Sequence, residues 1–339
     1  MHIAILSSIA WRTPPRHYGP WEQVASNHAE GLVREGHEVT LFATADSITA
    51  GNLEAVCPHP YEEDKNLDPK VWEALHISHL MEQAHRFDII HNHFDFLPLI
   101  FSKLIDVPIV TTIHGFSSPK IVPVYKKYDS VVHYVSISDA NRHPDLNYIA
   151  TVYNGIDPKY FTFKEKPGEY LLFLGRIHHD KGTREAISIA RKAGLPLFIA
   201  GIIQDQAYFD SYVKPEIDGQ SIRFLGEAGP VQRNRLLGGA LALLHPINFE
   251  EPFGLSVAES MLCGTPVIAF RRGSMPELIR ENETGFLVPS IEDAVEKVKD
   301  LSKTPELIDR RKCHTWAKSR FTVDTMIRGY LDVYKKILH

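Results

Sequence analysis

Four charged side chains sit where short loops meet helices. Arg176 and Lys181 lie five residues apart in RIHHDKG, between the apolar run EYLLFLG and a helical segment. A guanidinium fork and an ammonium on one loop suit a diphosphate, and a helix N-terminus behind them adds positive potential. The plainer reading is an exposed loop with two hydrated cations, and the pair alone does not choose. Glu251 and Glu259 stand eight residues apart in EEPFGLSVAESMLCGTPVIAF. Glu251 falls on a loop, Phe253-Gly254-Leu255 opens a helix, and Glu259 lies about two turns in, among Val257, Ala258, Met261 and Leu262. Gly254 lets a ligand approach the backbone closely. A half-buried acid such as Glu259 needs a cation or a hydrogen-bonding ligand. Taken as a lone pair, the acids read as a helix N-terminal charge and an internal salt bridge.

The elements around these residues repeat one pattern. HIAILSS, EVTLFAT, FDIIHNH, PIVTTIH, SVVHYVSIS and YIATVYNG read as strands in the first half, alternating with helices. EYLLFLG, PLFIAG, SIRFLG, ALALLHP, TPVIAF and TGFLVP do so in the second. β-rich runs with little alternation point to parallel sheets covered by helices on both faces. The length of 339 residues suits two domains. The Gly/Pro/Lys-rich stretch 155–169 reads as the seam, and the chain after Ile291 as almost wholly helical. In open parallel sheets ligands bind beyond the carboxyl ends of strands, where the four charged residues fall.

A net charge of −5 advertises neither nucleic acid nor an anionic surface. Three scattered cysteines without a CxxC argue against a disulfide framework or a zinc-thiolate site and suggest a reducing compartment. The N-terminal apolar run lacks a basic flank and reads as a first strand. No stretch approaches the roughly 20 apolar residues of a membrane helix. A cytoplasmic protein is expected, with peripheral membrane contact not indicated. His91 and His93 in HNHF invite a metal reading, but the sequence discloses no third ligand, so hydrogen bonding is the expected role and no metal is assigned. His114, which ends PIVTTIH, reads by itself as a strand-end histidine with a satisfied ring.

The stretch around Glu251 and Glu259 resembles the E-x7-E signature of the retaining, nucleotide-sugar-dependent glycosyltransferases of family 4. Further segments resemble that family in the same order: EGLVREGHEVTLFA, TTIHGF, VYNGID, GRIHHDKG and RRGSMPELI with ETGFLVP. The resemblance implies a GT-B fold, two Rossmann-like doubly wound domains facing a central cleft. Residues 1–160 would bind the acceptor and 161–320 the nucleotide sugar, with 321–339 a helix crossing back to the first domain. It implies a hexosyl transfer from a nucleoside-diphosphate sugar to a sugar, lipid or small-molecule hydroxyl, with no cofactor and no metal. Arg176 and Lys181 would neutralise the diphosphate, aided by the N–H groups of Gly254 and Leu255 beside Phe253. Glu259 would take the ribose hydroxyls, Glu251 those of the transferred sugar, and His114 would lie close to that sugar.

Two departures bear on the donor site. The family's Gly-Gly pair before a Glu is here Gly19-Pro20-Trp21-Glu22, so Gly19 can approach a phosphate but Pro20 has no N–H to give. Gly201 is followed by Ile202 instead of a second glycine. Two other functions fit the same architecture: a sugar-nucleotide epimerase, which needs no acceptor, and a non-catalytic sugar-nucleotide-binding protein. Retention of all four charged residues argues against the last.

Overall fold

The computed structural model describes residues 1–116 and 118–339. It divides into two compact units, one formed by Met1–Gly155 with Val323–His339 and the other by Ile156–Thr322.

The first unit carries a seven-stranded sheet of β1 (His2–Leu6), β2 (Glu38–Phe42), β3 (Asn52–Glu54), β4 (Ile89–Asn92), β5 (Ile109–Ile113), β6 (His133–Ser136) and β7 (Tyr148–Thr151). Its order is β3-β2-β1-β4-β5-β6-β7, and every pairing is parallel. Helices α1 (Pro20–Arg34), α2 (Pro69–Glu82) and α3 (Val122–Tyr128) connect the strands. All residues of β4 and β5 are buried. That explains the apolar and β-branched run of β5 and the start of β4, since both faces are covered, and it leaves His91 and Asn92 at the end of β4 as buried polar groups.

The second unit repeats the plan with six strands: β8 (Leu171–Leu174), β9 (Leu197–Ala200), β10 (Ile222–Phe224), β11 (Ala242–His245), β12 (Val267–Phe270) and β13 (Gly285–Val288). Their order is β10-β9-β8-β11-β12-β13, again all parallel. The helices are α4 (Thr183–Ala193), α5 (Gln206–Tyr208), α6 (Pro230–Gly239), α7 (Leu255–Leu262), α8 (Met275–Leu278), α9 (Ile291–Lys303) and α10 (Arg310–Arg320). The strand order reverses between β8 and β11, which pair directly. At such a switch point the connections leave in opposite directions and open a crevice for a ligand.

The last helix, α11 (Val323–Leu338), belongs to the first unit. Its buried face, Val323, Met326, Ile327, Tyr330, Val333 and Tyr334, follows helical spacing. It packs on α1. The unit boundaries fall at 155/156 and 322/323, against 160/161 and 320/321 expected from sequence. The reason is local pairing: Ile156 N–H donates to the Phe321 carbonyl at 2.7 Å and bridges to Thr322. The segment read as a seam is also tied down. Lys164 N–H donates to Cys263, and the buried Arg310 donates to the carbonyls of Lys164, Gly238 and Ala240 and to Thr265 Oγ1.

Candidate functional site

The charged residues of the second unit lie on the connections that leave its switch point. Arg176 and Lys181 follow β8, and Glu251 follows β11. The β8 loop ends at Gly182, in the left-handed conformation (φ 74°), where an added Cβ would collide with the Pro246 carbonyl oxygen. Only glycine allows the two loops to approach so closely. Asn248 ties them further, its N–H donating to the Asp180 carbonyl at 2.6 Å and its side chain to the His179 carbonyl at 3.1 Å. The two loops therefore form one platform.

On that platform Lys181 Nζ donates to Glu251 Oε2. Their side chains are only 15% and 10% exposed, so this is a buried pair rather than a solvated one. The Lys181 ammonium also lies 4.7 Å from the centre of the Phe249 ring. His245, the last residue of β11, places Nε2 3.6 Å from the same Glu251 oxygen. Burial alone would raise the Glu251 pKa, but the Lys181 charge and the His245 ring outweigh it and hold the acid at about 2. His245 itself is pushed down by burial, with Glu251 opposing.

Glu259, on α7, is 6% exposed and ion-paired: Arg233 of α6 donates to its Oε2. Burial raises its pKa and Arg233 acts against that. Internal pairing of Glu259 is thus what the structure shows. Among the described residues, Oε1 of Glu251 and Oε1 of Glu259 take no hydrogen bond. Arg176 is partly exposed and donates to Gln204, on the loop after β9.

Helices α4 and α7 both start at a left-handed glycine, Gly182 and Gly254, and neither has a side-chain cap. In α4 the Arg184 N–H is taken by the Tyr208 hydroxyl at 3.0 Å, whereas among the described residues no side chain takes the first N–H groups of α7, which keep their partial charge beside Glu251. Leu255 is the first residue of α7. Phe253 is placed differently from an exposed binding residue. Its ring is 2% exposed and lies edge-on to Phe321, with centroids 5.9 Å apart, so it anchors the turn.

In the first unit Gly19 precedes α1, which begins at Pro20. The missing Pro20 N–H therefore falls at the first helical position, where no intrahelical acceptor is lost. Trp21 stacks on His114, with ring centroids 5.5 Å apart and planes 23° from parallel. His114 is 7% exposed and hydrogen-bonds through Nε2 to His93 Nδ1 at 2.9 Å. The third histidine that the sequence did not disclose is His28, on α1. It meets His93 at 2.9 Å, and His28, His91 and His93 are close enough to share one ion. Each of their ring nitrogens already has a hydrogen-bond partner: His91 bonds Tyr334 and Thr112, and the remaining Nε2 of His28 bonds Tyr334. The set satisfies itself without a metal.

Sequence reasoning missed His245, Arg233, Trp21 and His28. His245 alone carried a signal, as a polar residue closing the apolar run ALLH. Arg233 reaches Glu259 from α6, and Trp21 and His28 reach the first unit's histidines from α1.

Similarity to known proteins follows the same division. Residues 22–160 match the family model described as Glycosyltransferase Family 4, and residues 159–320 match Glycosyl transferases group 1. The chain is 25% identical over 336 residues to a glycogen synthase of Mycobacterium tuberculosis, covering 82% of this chain and 80% of that protein. Among solved structures, sucrose-phosphate synthase from Thermosynechococcus elongatus superposes with a TM-score of 0.81 at 16% identity, covering 99% of both chains. The HepE protein of Anabaena, solved with UDP and glucose, gives 0.76 at 18% identity, covering 99% of this chain and all of that one. At these identities the structural likeness speaks for the fold.

The buried histidines make stability fall with acid. His28 and His114 drop from 6.5 to about 3, mainly through burial, and His91 and His93 lie well below 6.5 for the same reason. Between about pH 3 and 6.5 the unfolded chain therefore binds protons that the folded chain refuses, costing roughly 1.4 kcal/mol per group per pH unit. Glu22 opposes this: burial raises it from 4.5 to about 7, so protonation of the folded state favours folding as pH falls from 7 to 4.5. The histidines outnumber it. Denaturant unfolding is expected to show a net loss of about 2–4 kcal/mol from pH 7.5 to 5.5. A level or rising stability over that interval contradicts the assignment.

Proposed function

Since the chain belongs to the family 4 glycosyltransferases and has the GT-B fold, we propose that it transfers a hexosyl group from a nucleoside-diphosphate sugar to an acceptor hydroxyl, with retention of anomeric configuration. The observation that carries this reading is the treatment of the two acids. Each is buried, each is anchored through Oε2 by a cation, and each keeps Oε1 uncommitted among the described residues. Two such acids flanking the N-terminus of α7 suit a ligand with hydroxyls at both ends and anionic charge between them.

In this reading the second unit binds the donor. Glu259 Oε1 accepts from the ribose hydroxyls, while Arg233 offsets part of the burial that raises the pKa of the acid. Glu251 Oε1 accepts from the transferred sugar. Arg176, Lys181 and the N–H groups of Gly254 and Leu255 face the diphosphate. As the bond from the anomeric carbon to the phosphate oxygen breaks, negative charge gathers on the diphosphate, and preorganised cations lower the barrier. The acceptor oxygen bonds to the anomeric carbon on the face the diphosphate leaves, and its proton passes to the departing phosphate oxygen. No enzyme nucleophile is required.

The first unit takes the acceptor, a sugar, lipid or small-molecule hydroxyl. Gly19 offers its backbone to a phosphate, and His114 contacts the transferred sugar. UDP is the first nucleotide to test, given the UDP-bound HepE relative. Among the described residues no helix is long and apolar enough to cross a membrane, and the three cysteines are free and buried. Both facts fit the cytoplasmic enzyme we propose.

The cations at the diphosphate make a divalent metal unnecessary. The cluster His178, His179 and Asp180 beside Lys181 has spacing that an ion could use, which makes the point worth testing. Turnover is expected to survive excess EDTA unchanged. Loss of turnover with EDTA, restored by magnesium or manganese, refutes metal independence.

Glu251→Gln and Glu259→Gln should fail differently. Each substitution forfeits a charge-assisted hydrogen bond of about 1.5–3 kcal/mol. Each also leaves a cation without its partner, so both variants are checked for folding first. At Glu259 the lost contact is to the ribose, and UDP affinity should fall by about one to two powers of ten. At Glu251 the lost contact is to the sugar, so turnover should fall while UDP affinity stays nearly unchanged. Calorimetry with UDP beside steady-state rates separates the two. An equal loss of UDP affinity in both variants contradicts the division of labour.

A further inference from the structure

The histidines of the first unit form part of a longer hydrogen-bonded chain, and its direction is fixed at one end. Tyr330, on α11, is wholly buried. Its one hydrogen-bond partner among the described residues is Thr112 Oγ1, at 2.8 Å. A buried hydroxyl hydrogen without an acceptor is costly, so Tyr330 donates and Thr112 accepts. The single Thr112 hydrogen then goes to His91 Nε2, 2.7 Å away. His91 must carry its proton on Nδ1, which donates to the Tyr334 hydroxyl at 2.7 Å. Tyr334 donates to His28 Nε2 at 3.1 Å. His28 Nδ1 donates to His93 Nε2 at 2.9 Å, and His93 Nδ1 donates to His114 Nε2 at 2.9 Å.

Every donor along this path meets one acceptor. Reversed, the chain leaves the Tyr330 hydrogen with nowhere to go. The path needs neutral imidazoles, because a protonated ring donates from both nitrogens. Burial supplies that, holding all four rings well below their ordinary range.

We propose that this chain, anchored at Tyr330, fixes His114 as the Nδ1–H tautomer, so that it presents a neutral N–H donor at its outer nitrogen. Nδ1 of His114 has no hydrogen-bond partner among the described residues, and the residue keeps 7% exposure. The chemistry it suits is an oxygen acceptor such as a sugar hydroxyl. A neutral donor also avoids repelling a sugar that gains positive character. That use rests on the glycosyltransferase reading, whereas the tautomer does not. Tyr330, Thr112, His91, Tyr334, His28 and His93 are positioning residues that act through His114.

The test is long-range proton–nitrogen NMR of the histidine-labelled protein at pH 7.5, without donor or acceptor. His114 is assigned by the signals lost in His114→Gln. The expected spectrum has a protonated Nδ1 and a bare Nε2 at His114. The opposite tautomer, or an averaged pair of shifts, overturns the proposal. Tyr334→Phe cuts the chain between His91 and His28 without touching His114. Either direction then leaves one unmatched nitrogen on His28, so His114 should become a mixture of tautomers. A single unchanged tautomer in a folded Tyr334→Phe protein overturns the proposal as well. Should that variant not fold, the unsubstituted protein still decides. Tight one-to-one zinc binding that disappears in His28→Gln would make the cluster a metal site and also overturn the proposal. Because no sugar is present, failure here leaves the transferase reading standing, and absence of transfer leaves the tautomer standing.

Discussion

The buried pair of Lys181 and Glu251 is the constraint around which the second unit is arranged. Removing two charges from water is costly, and their attraction repays that only when geometry is held and neighbours help. The neighbours are His245, the Phe249 ring and the close approach of Gly182 to the Pro246 carbonyl. Each comes from the end of β11 or from the loops after β8 and β11, the two strands that flank the switch point. The sheet order thus sets which loops can meet, and the glycine sets how near. The ion pair in turn keeps a carboxylate ionised where burial would neutralise it. Without Lys181, only His245 would oppose the burial that raises the Glu251 pKa.

The same logic with opposite sign governs the first unit. There the polar groups are kept neutral, and hydrogen bonds rather than charges satisfy them. Four imidazoles lie in a region closed by α1 and by α11, which returns from the far end of the sequence to supply Tyr330 and Tyr334. α1 accepts α11 closely because residue 31 is glycine, where a Cβ would overlap Ile327. Docking of the last helix and order among the histidines are therefore one packing problem. Its price is sensitivity to acid.

Much of this was legible in the sequence, for identifiable reasons. Strands buried on both faces announce themselves as apolar runs, and β8, β11 and β12 lie where those runs predicted. Lys181 and Glu251 were legible because loop residues after parallel strands are where such folds place ligand chemistry. Their mutual pairing was not, since it depends on two loops 70 residues apart closing onto each other. Arg233 was invisible because α6 gives no pattern that points one arginine at α7. His28 and Tyr334, 306 residues apart, meet only through docking of the last helix. The stretch 155–169 contains the unit boundary, but the expected division at 160/161 lies a few residues late, because Gly and Pro content marks irregular backbone while the boundary is set by the pairing of Ile156 with Thr322.

The central claim is that cations at the switch point of the second unit stabilise a departing diphosphate. Arg176→Ala tests this most directly, because Arg176 donates to Gln204 and its removal breaks no buried ion pair. Turnover with a UDP-sugar donor, measured beside calorimetric affinity for UDP, is the measurement. The account predicts a loss of about a hundredfold in kcat, with a much smaller change in UDP affinity. An unchanged kcat accompanied only by a raised KM would contradict it.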